Sequence, residues 1–264
     1  MPSADRPATW IDRLRAEGAE PRPLGANLWR IRHQGREAVA KVGDGVDDEA
    51  VGLRHLTGVE EGPAVPRILG AEPGLLITEW VEQGPKTAGH EEALGRGLAQ
   101  LHSAPWPEWG GGSSWIGNCR IEPETATDGA TYYGRRLMAL AARCGLGSQA
   151  ARLVERLGPL VPPGAPALVH GDLWWGNVLW GSDGRTFLID PSAHGGYPEE
   201  DLAMLALFGP IPARVIDTYQ EVAALAEGWK ERVGLFQLYP LLVHTVLFGG
   251  GYRAQAEGVL ARLA

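Results

Sequence analysis

Two apolar triplets, Val178-Leu179-Trp180 and Phe187-Leu188-Ile189, flank Gly181-Ser182-Asp183-Gly184-Arg185, and this pattern constrains the fold more tightly than any other stretch. Asp-Gly between short apolar runs turns the backbone back on itself, so the spacing predicts a β-hairpin. A two-residue turn at Asp183-Gly184 would set Asn177 directly opposite Asp190, with Cβ atoms about 4.5–5.5 Å apart. An amide oxygen facing a carboxylate suits a hard cation such as Mg²⁺, which accepts few protein ligands and takes its other oxygens from phosphate and water. Asp172 enters the same hairpin and brings a further carboxylate that can receive a hydroxyl proton.

These three residues are what phosphoryl transfer asks for: an oriented nucleophile, an acceptor for its proton, and cations to offset charge on the transferring group. The run His170-Gly171-Asp172-x₄-Asn177 also has the spacing of a kinase catalytic loop. Asp172 is expected to be the base, and Asn177 and Asp190 the metal ligands. His170 reads better as a hydrogen-bonded brace for the loop than as a base. Upstream, Lys41 closes the apolar run Glu37–Val42, and Glu49 lies in the acidic opening of the next helical pattern. A strand lysine held by a helix glutamate reaches nucleotide phosphates in kinase-like small lobes. Asp48 is the shorter-armed second choice. Glu79-Trp80-Val81 follow an apolar strand pattern and sit where a hinge would offer backbone groups to an adenine edge; Glu79 and Val81 are the candidates there.

The rest of the chain supplies two lobes. Residues 9–17 have helical spacing, 28–32 and 37–42 read as strands joined at Gln34-Gly35, and 67–70 and 74–81 as further strands. Beyond Gly84-Pro85 the pattern turns helical, with loop at 103–117, helices over about 131–158, a break at 159–166, strands in 167–190 and helices at 202–208 and 235–248. The expected fold is α+β and bilobal: a small antiparallel β lobe with one helix over 1–82, hinge included, and a larger, mostly helical lobe over 83–264.

Composition narrows the partners. A net charge of −8 argues against nucleic acid, which wants a basic stripe. No apolar run is long enough for a membrane span, and the opening MPSADRPATWIDRLRAEG lacks the apolar stretch of a signal peptide. Two cysteines in unrelated contexts fit a reducing cytoplasm. There is no G-x-x-x-x-G-K-[ST], which excludes a P-loop enzyme. There is also no A-P-E, and little chain lies between Asp190 and the next helix, which disfavours a protein kinase. Asp201 opens that helix and is read as structural. Of Trp174 and Trp175, the first is assigned to the acceptor pocket and the second to the core. Gly249–Gly251 is read as a helix end.

LVHGDLWWGNVLW, FLIDPSAHGGYPEEDLAMLALFG and LYPLLVHTVLFGGGY, with EAVGLRHL, LITEWVEQG and SWIGN upstream, resemble in order and spacing the fructosamine kinase (ketosamine 3-kinase) family. That family belongs to the aminoglycoside-phosphotransferase-like group with a protein-kinase-like fold. The resemblance implies ATP and Mg²⁺ as cofactors and a ketosamine or other glycated amine as the small-molecule substrate, phosphorylated on a 3-hydroxyl. It gives Asp172, Asn177, Asp190, Lys41 and Glu49 the roles assigned above. The family's glycine-rich turn is reduced here to Pro-Leu-Gly-Ala-Asn, leaving Gly25 as its one glycine. Two other readings share these residues: a related kinase for an aminoglycoside, choline or hydroxy-amino acid, and a nucleotide-binding module without turnover. Oligomeric state is not legible in the sequence.

Overall fold

The structure, a computed structural model, describes residues 6–263, with side chains from residue 9 onward. The first five residues of the opening segment tested above for a signal peptide therefore lie outside the described residues. Helix α1 spans Arg6–Ala16 and is followed by β1 (Arg22–Pro23), β2 (Leu28–His33), β3 (Arg36–Val42), α2 (Val46–Thr57), β4 (Ile68–Glu72) and β5 (Leu75–Glu79). The strands form one antiparallel sheet in the order β1-β2-β3-β5-β4. Gln34 and Gly35 both have positive φ, the conformation that lets a two-residue turn match strand twist.

Strand periodicity decides what faces the site. Ala38, Ala40 and Val42 point to one side, where they pack with Ile11, Leu14 and Ile31. Lys41 has the opposite parity and pairs in register with Leu76, which packs against Val46, Ala50 and Leu53 of α2. The sheet therefore has two apolar faces, one under α1 and one under α2. The lysine is delivered to the α2 side, which looks into the cleft.

The large lobe contains α3 (Ala88–Ser103), β6 (Trp109–Gly110), β7 (Trp115–Ile116), β8 (Cys119–Arg120), β9 (Thr125–Ala126), α4 (Gly129–Arg143) and α5 (Gly147–Val154). It continues with β10 (Ala167–Val169), β11 (Val178–Trp180), β12 (Thr186–Leu188), β13 (His194–Gly196), α6 (Pro198–Leu207), α7 (Ala213–Val222), α8 (Trp229–Phe248) and α9 (Gly251–Leu263). Helix α8 carries buried residues all round, from Leu235 to Val243, and is the central helix of the lobe. Tyr133 and Tyr197 close on Phe236 from α4 and from the start of α6. Among the described residues, no helix is long and apolar enough to cross a membrane.

The helices expected over 131–158 are α4 and α5, separated where Gly145 takes φ +69°. Two sequence expectations need correction. The stretch 103–117 is not only loop: β6 and β7 lie in it, and β6 joins the small sheet β10-β13-β6-β9. The hairpin register is off by one residue. Val178 pairs with Leu188 and Trp180 with Thr186, so Asn177 stands opposite Ile189, whose N–H donates to the Asn177 carbonyl at 3.0 Å. The cause is an extra loop residue: Gly184 takes φ +86°, its N–H bonds Gly181 O, and Gly181 N–H bonds Arg185 O. That is a turn with a glycine bulge, where a tight two-residue turn was expected.

Candidate active site

Asp172 is positioned by a loop with little freedom. Gly171 has φ +80°, and a Cβ there would lie 2.2 Å from Ser192 O, so only glycine fits before the aspartate. The backbone N–H groups of His170 and Gly171 donate to the two oxygens of buried Asp201, at 2.7 and 2.9 Å. His102 bonds the same carboxylate at 3.0 Å. Burial alone would raise the Asp201 pKa, but these bonds and the nearby imidazoles hold it low. The His170 ring spans Ile189 O at 3.0 Å and Asp172 N–H at 3.3 Å, and burial keeps it neutral. It ties the loop to the hairpin, as the sequence reading expected.

The Asn177 side-chain nitrogen donates to Asp172 O at 2.8 Å and lies 3.5 Å from Asp172 Oδ2. Its nitrogen is thereby committed, and its oxygen is the group left to face a cation. Asp190, just past β12, has φ +55°, a left-handed conformation that costs a non-glycine residue about 1–2 kcal/mol. Lys41 Nζ lies 3.0 Å from Asp190 Oδ1 and 2.6 Å from Glu49 Oε2. Burial and repulsion from Asp190 push the Glu49 carboxyl up, to about 8, against the pull of Lys41. Burial works against the Lys41 charge, but Glu49 and Asp190 outweigh it and hold the ammonium charged.

Asp172, Asn177, Asp190, Lys41, Glu49 and Trp174 all line one cleft of about 360 Å³. The Asp172 carboxyl is raised to about 7, first by burial and then by the charges of Asp190 and Asp201. Hard oxygen donors from Asn177 and Asp190 on one wall, with open cleft in front, fit a Mg²⁺ ion that keeps most of its shell for phosphate and water. A second cavity of about 320 Å³ shares Lys41, Glu49 and Asp190 and runs to the connection between the lobes, past Leu53, Leu76, Leu179 and Ile189. Glu79 and Val81 line it. The Glu79 side chain is turned to Arg67, accepting its N–H at 3.0 Å. Gly25 is exposed and lines neither cavity; its N–H donates to Leu28 O at 3.1 Å, and Asn27 is the turn residue that reaches the cleft.

Trp174 is 41% exposed, its ring folded over Gly176, where a Cβ would lie 2.2 Å from the indole. Trp175, partly buried, packs against the core beside Trp180, in line with its expected packing role. Sequence reasoning used SWIGN as a mark of resemblance but gave the loop at 113–118 no place in the site. Ser113, Trp115 and Asn118 line the cleft, and Ser114 N–H donates to Asp48 at 2.7 Å. That gives Asp48 its own task and leaves Glu49 to Lys41. The signal available was Gly110-Gly111-Gly112, each with positive φ, which marks a shaped loop. His244 and Phe248 of α8 were missed as well, because an apolar helix end reads as core.

A small antiparallel lobe, a hinge-side cavity, a half-buried aspartate facing the cleft and a strand lysine held by a helix carboxylate define a phosphotransferase of the protein-kinase-like class. Comparison with known proteins agrees. The family model for fructosamine kinase matches residues 46–264. The probable ketoamine kinase of Synechocystis is 34% identical over 233 residues, covering 80% of this chain and 76% of that one. The chloroplastic protein-ribulosamine 3-kinase of Oryza sativa subsp. indica is 30% identical, covering 81% and 67%. A crystal structure of a candidate fructosamine-3-kinase from Thermobifida fusca superposes with TM-score 0.84 at 36% identity, covering 92% of each chain. The chain belongs to the fructosamine kinase family. Choline kinase LicA of Streptococcus pneumoniae, with TM-score 0.64 at 15% identity over 97% of this chain and 99% of that one, shares the fold.

Proposed function

We propose that this protein transfers the γ-phosphate of ATP to the 3-hydroxyl of a ketoamine, a sugar carried on an amine. The observation that supports this best is the convergence of Asp172, Asn177, Asp190 and the Lys41–Glu49 pair on one cleft. In this reading the adenine occupies the hinge-side cavity, against the backbone of Glu79 to Val81. Lys41 meets the phosphates, and Glu49 keeps its ammonium from turning away. Asn177 and Asp190 hold Mg²⁺, which when bound offsets charge on the phosphates. The acceptor hydroxyl lies against Asp172, which takes its proton as the oxygen attacks phosphorus. A carboxyl raised to about 7 suits that task, because it is a stronger base than an ordinary aspartate and is still largely ionised just above neutrality. Trp174 covers the sugar and excludes water.

The lobes divide near residues 82 and 83 in this reading, and the enzyme works in the cytoplasm. The test is direct. Purified protein is incubated with Mg-ATP and a synthetic fructosamine or ribulosamine, and ADP release and product mass are followed. The expected result is ADP release that depends on the ketoamine, with a phosphorylated ketoamine as product. Turnover with an aminoglycoside or choline, and none with any ketoamine, would overturn the substrate assignment.

A further inference from the structure

Six large apolar side chains are exposed among the described residues; two of them, Trp174 (41%) and Phe248 (67%), line the cleft that holds Asp172, and a third, Phe208 (40%), lies against Trp174 and His244 beside it. His244 joins them. Its ring centroid is 5.3 Å from Phe208, 5.7 Å from Phe248 and 4.9 Å from Tyr252, while Trp174 is 6.0 Å from Phe208. The ledge is built in. His244 Nδ1 donates to Pro240 O at 2.7 Å, which fixes the ring. Gly249 and Gly250, with φ +63° and +55°, end α8 so that α9 brings Tyr252 back against it. A contiguous aromatic surface left in water is unfavourable unless something covers it.

Its position says which part of a substrate would do so. The hinge-side cavity lies at the other side of Lys41, Glu49 and Asp190, so the ledge belongs to the acceptor. Away from the corner shared with the hinge side, the neck of the cleft carries Asp44 and Asp172, and among the described residues no lysine or arginine lines it there. That neck favours a cation and disfavours an anion. Beyond it, tilted ring faces and edges favour an aryl group, which gains ring contacts and loses fewer rotors than an alkyl chain.

Taking the ketoamine kinase reading as its basis, we infer that the acceptor's amine sits as an ammonium in the acidic neck and that its N-substituent is apolar and aromatic, lying on the ledge of His244, Phe248 and Phe208. The enzyme then selects among ketoamines by what the amine carries as well as by the sugar.

The test compares three fructosamines with the same sugar and N-methyl, N-benzyl or N-carboxymethyl substituents. Wild type is expected to show kcat/KM about five- to tenfold higher for benzyl than for methyl, carried by KM, with carboxymethyl the poorest. The benzyl-to-methyl ratio is read within each enzyme, so a loss of folded protein cancels. It should fall below about 2 in Phe248→Ala and be retained in Phe248→Tyr. Equal kcat/KM for benzyl and methyl in wild type, or a ratio untouched by Phe248→Ala, would overturn the ledge while leaving phosphotransfer standing. Absence of turnover on all three and on the corresponding ribulosamines would remove the ketoamine reading and this inference with it.

Discussion

The hinge-side cavity and the acceptor cleft have similar volumes, about 320 and 360 Å³, and share one corner at Lys41, Glu49 and Asp190. Away from that corner they have little in common. The hinge side is walled by aliphatic side chains from both lobes, Leu53 and Leu76 above and Leu179 and Ile189 below, and among the described residues none bonds the Val81 backbone N–H or C=O. The acceptor side is walled by acids and rimmed by aromatic rings. A flat base can be held on the first by shape and by backbone groups, whatever the side chains. The second recognises charge and ring surface, so its specificity is written in side chains and is free to vary. Equal room does not mean equal recognition.

The sharpest way to break this division is Asp172→Ala. It should lower turnover by roughly 10²–10⁴ while Mg-ATP still raises the melting temperature, because the residue lies on the acceptor side alone. Near-normal turnover would remove the base from the mechanism. The shared corner should respond on both sides. Lys41→Met removes a charge-assisted contact, and a loss of about 10²-fold in kcat/KM for ATP should accompany a loss of the thermal shift. If only acceptor kinetics changed, the corner would not be shared.

Acidity gives the next test. The Asp172 carboxyl stands at about 7, above its ordinary range, so protonation removes the base as pH falls. Turnover should drop about tenfold between pH 8 and pH 6, as a single-proton limb absent from the residual activity of Asp172→Ala. A flat profile over that range would count against the assignment. On the other side, Leu179→Ala should raise KM for ATP about fivefold and leave KM for the ketoamine where it was, since Leu179 lines only the hinge-side cavity.

The smallest effect is on stability. A carboxyl whose folded pKa lies above its unfolded value loses stability as pH rises between the two. Asp172→Asn should therefore melt with wild type near pH 4 and a few °C above it at pH 8, in metal-free buffer. A lower melting temperature at pH 8 would mean that the carboxylate is held more comfortably than burial beside Asp190 and Asp201 implies.

Much of this was legible in the sequence because it is local. Lys41 ends an alternating strand, Glu49 opens an acidic helix start, and Asp172 and Asn177 share one loop, so spacing alone placed them. The hairpin register was not legible to one residue. Asp-Gly permits both a tight turn and a bulged one, and the choice depends on whether Gly184 alone takes the left-handed conformation. Of the sheet β10-β13-β6-β9 only β10, inside the expected strands of 167–190, was legible. Its strands are two or three residues long and far apart in sequence, so no periodicity can build up in them. Trp115 and Phe248 were hidden for a related reason: an aromatic residue in a glycine loop or at a helix end looks the same whether it faces a core or a cleft.

The loop that carries Trp115 also has a mechanical consequence. Ser114 N–H is bonded to Asp48 of the small lobe, the Trp115 ring lies against Gly45, and Trp115 O accepts from Ser192 of the large lobe. The two halves of the molecule are thus fastened at the acceptor side of the cleft as well as through the connection near residues 79–84, the Leu188 N–H to Ala64 O bond and the Lys41–Asp190 pair. Parting them on that side would break the Ser114–Asp48 bond, so the width of the acceptor mouth is tied to the conformation of this one loop.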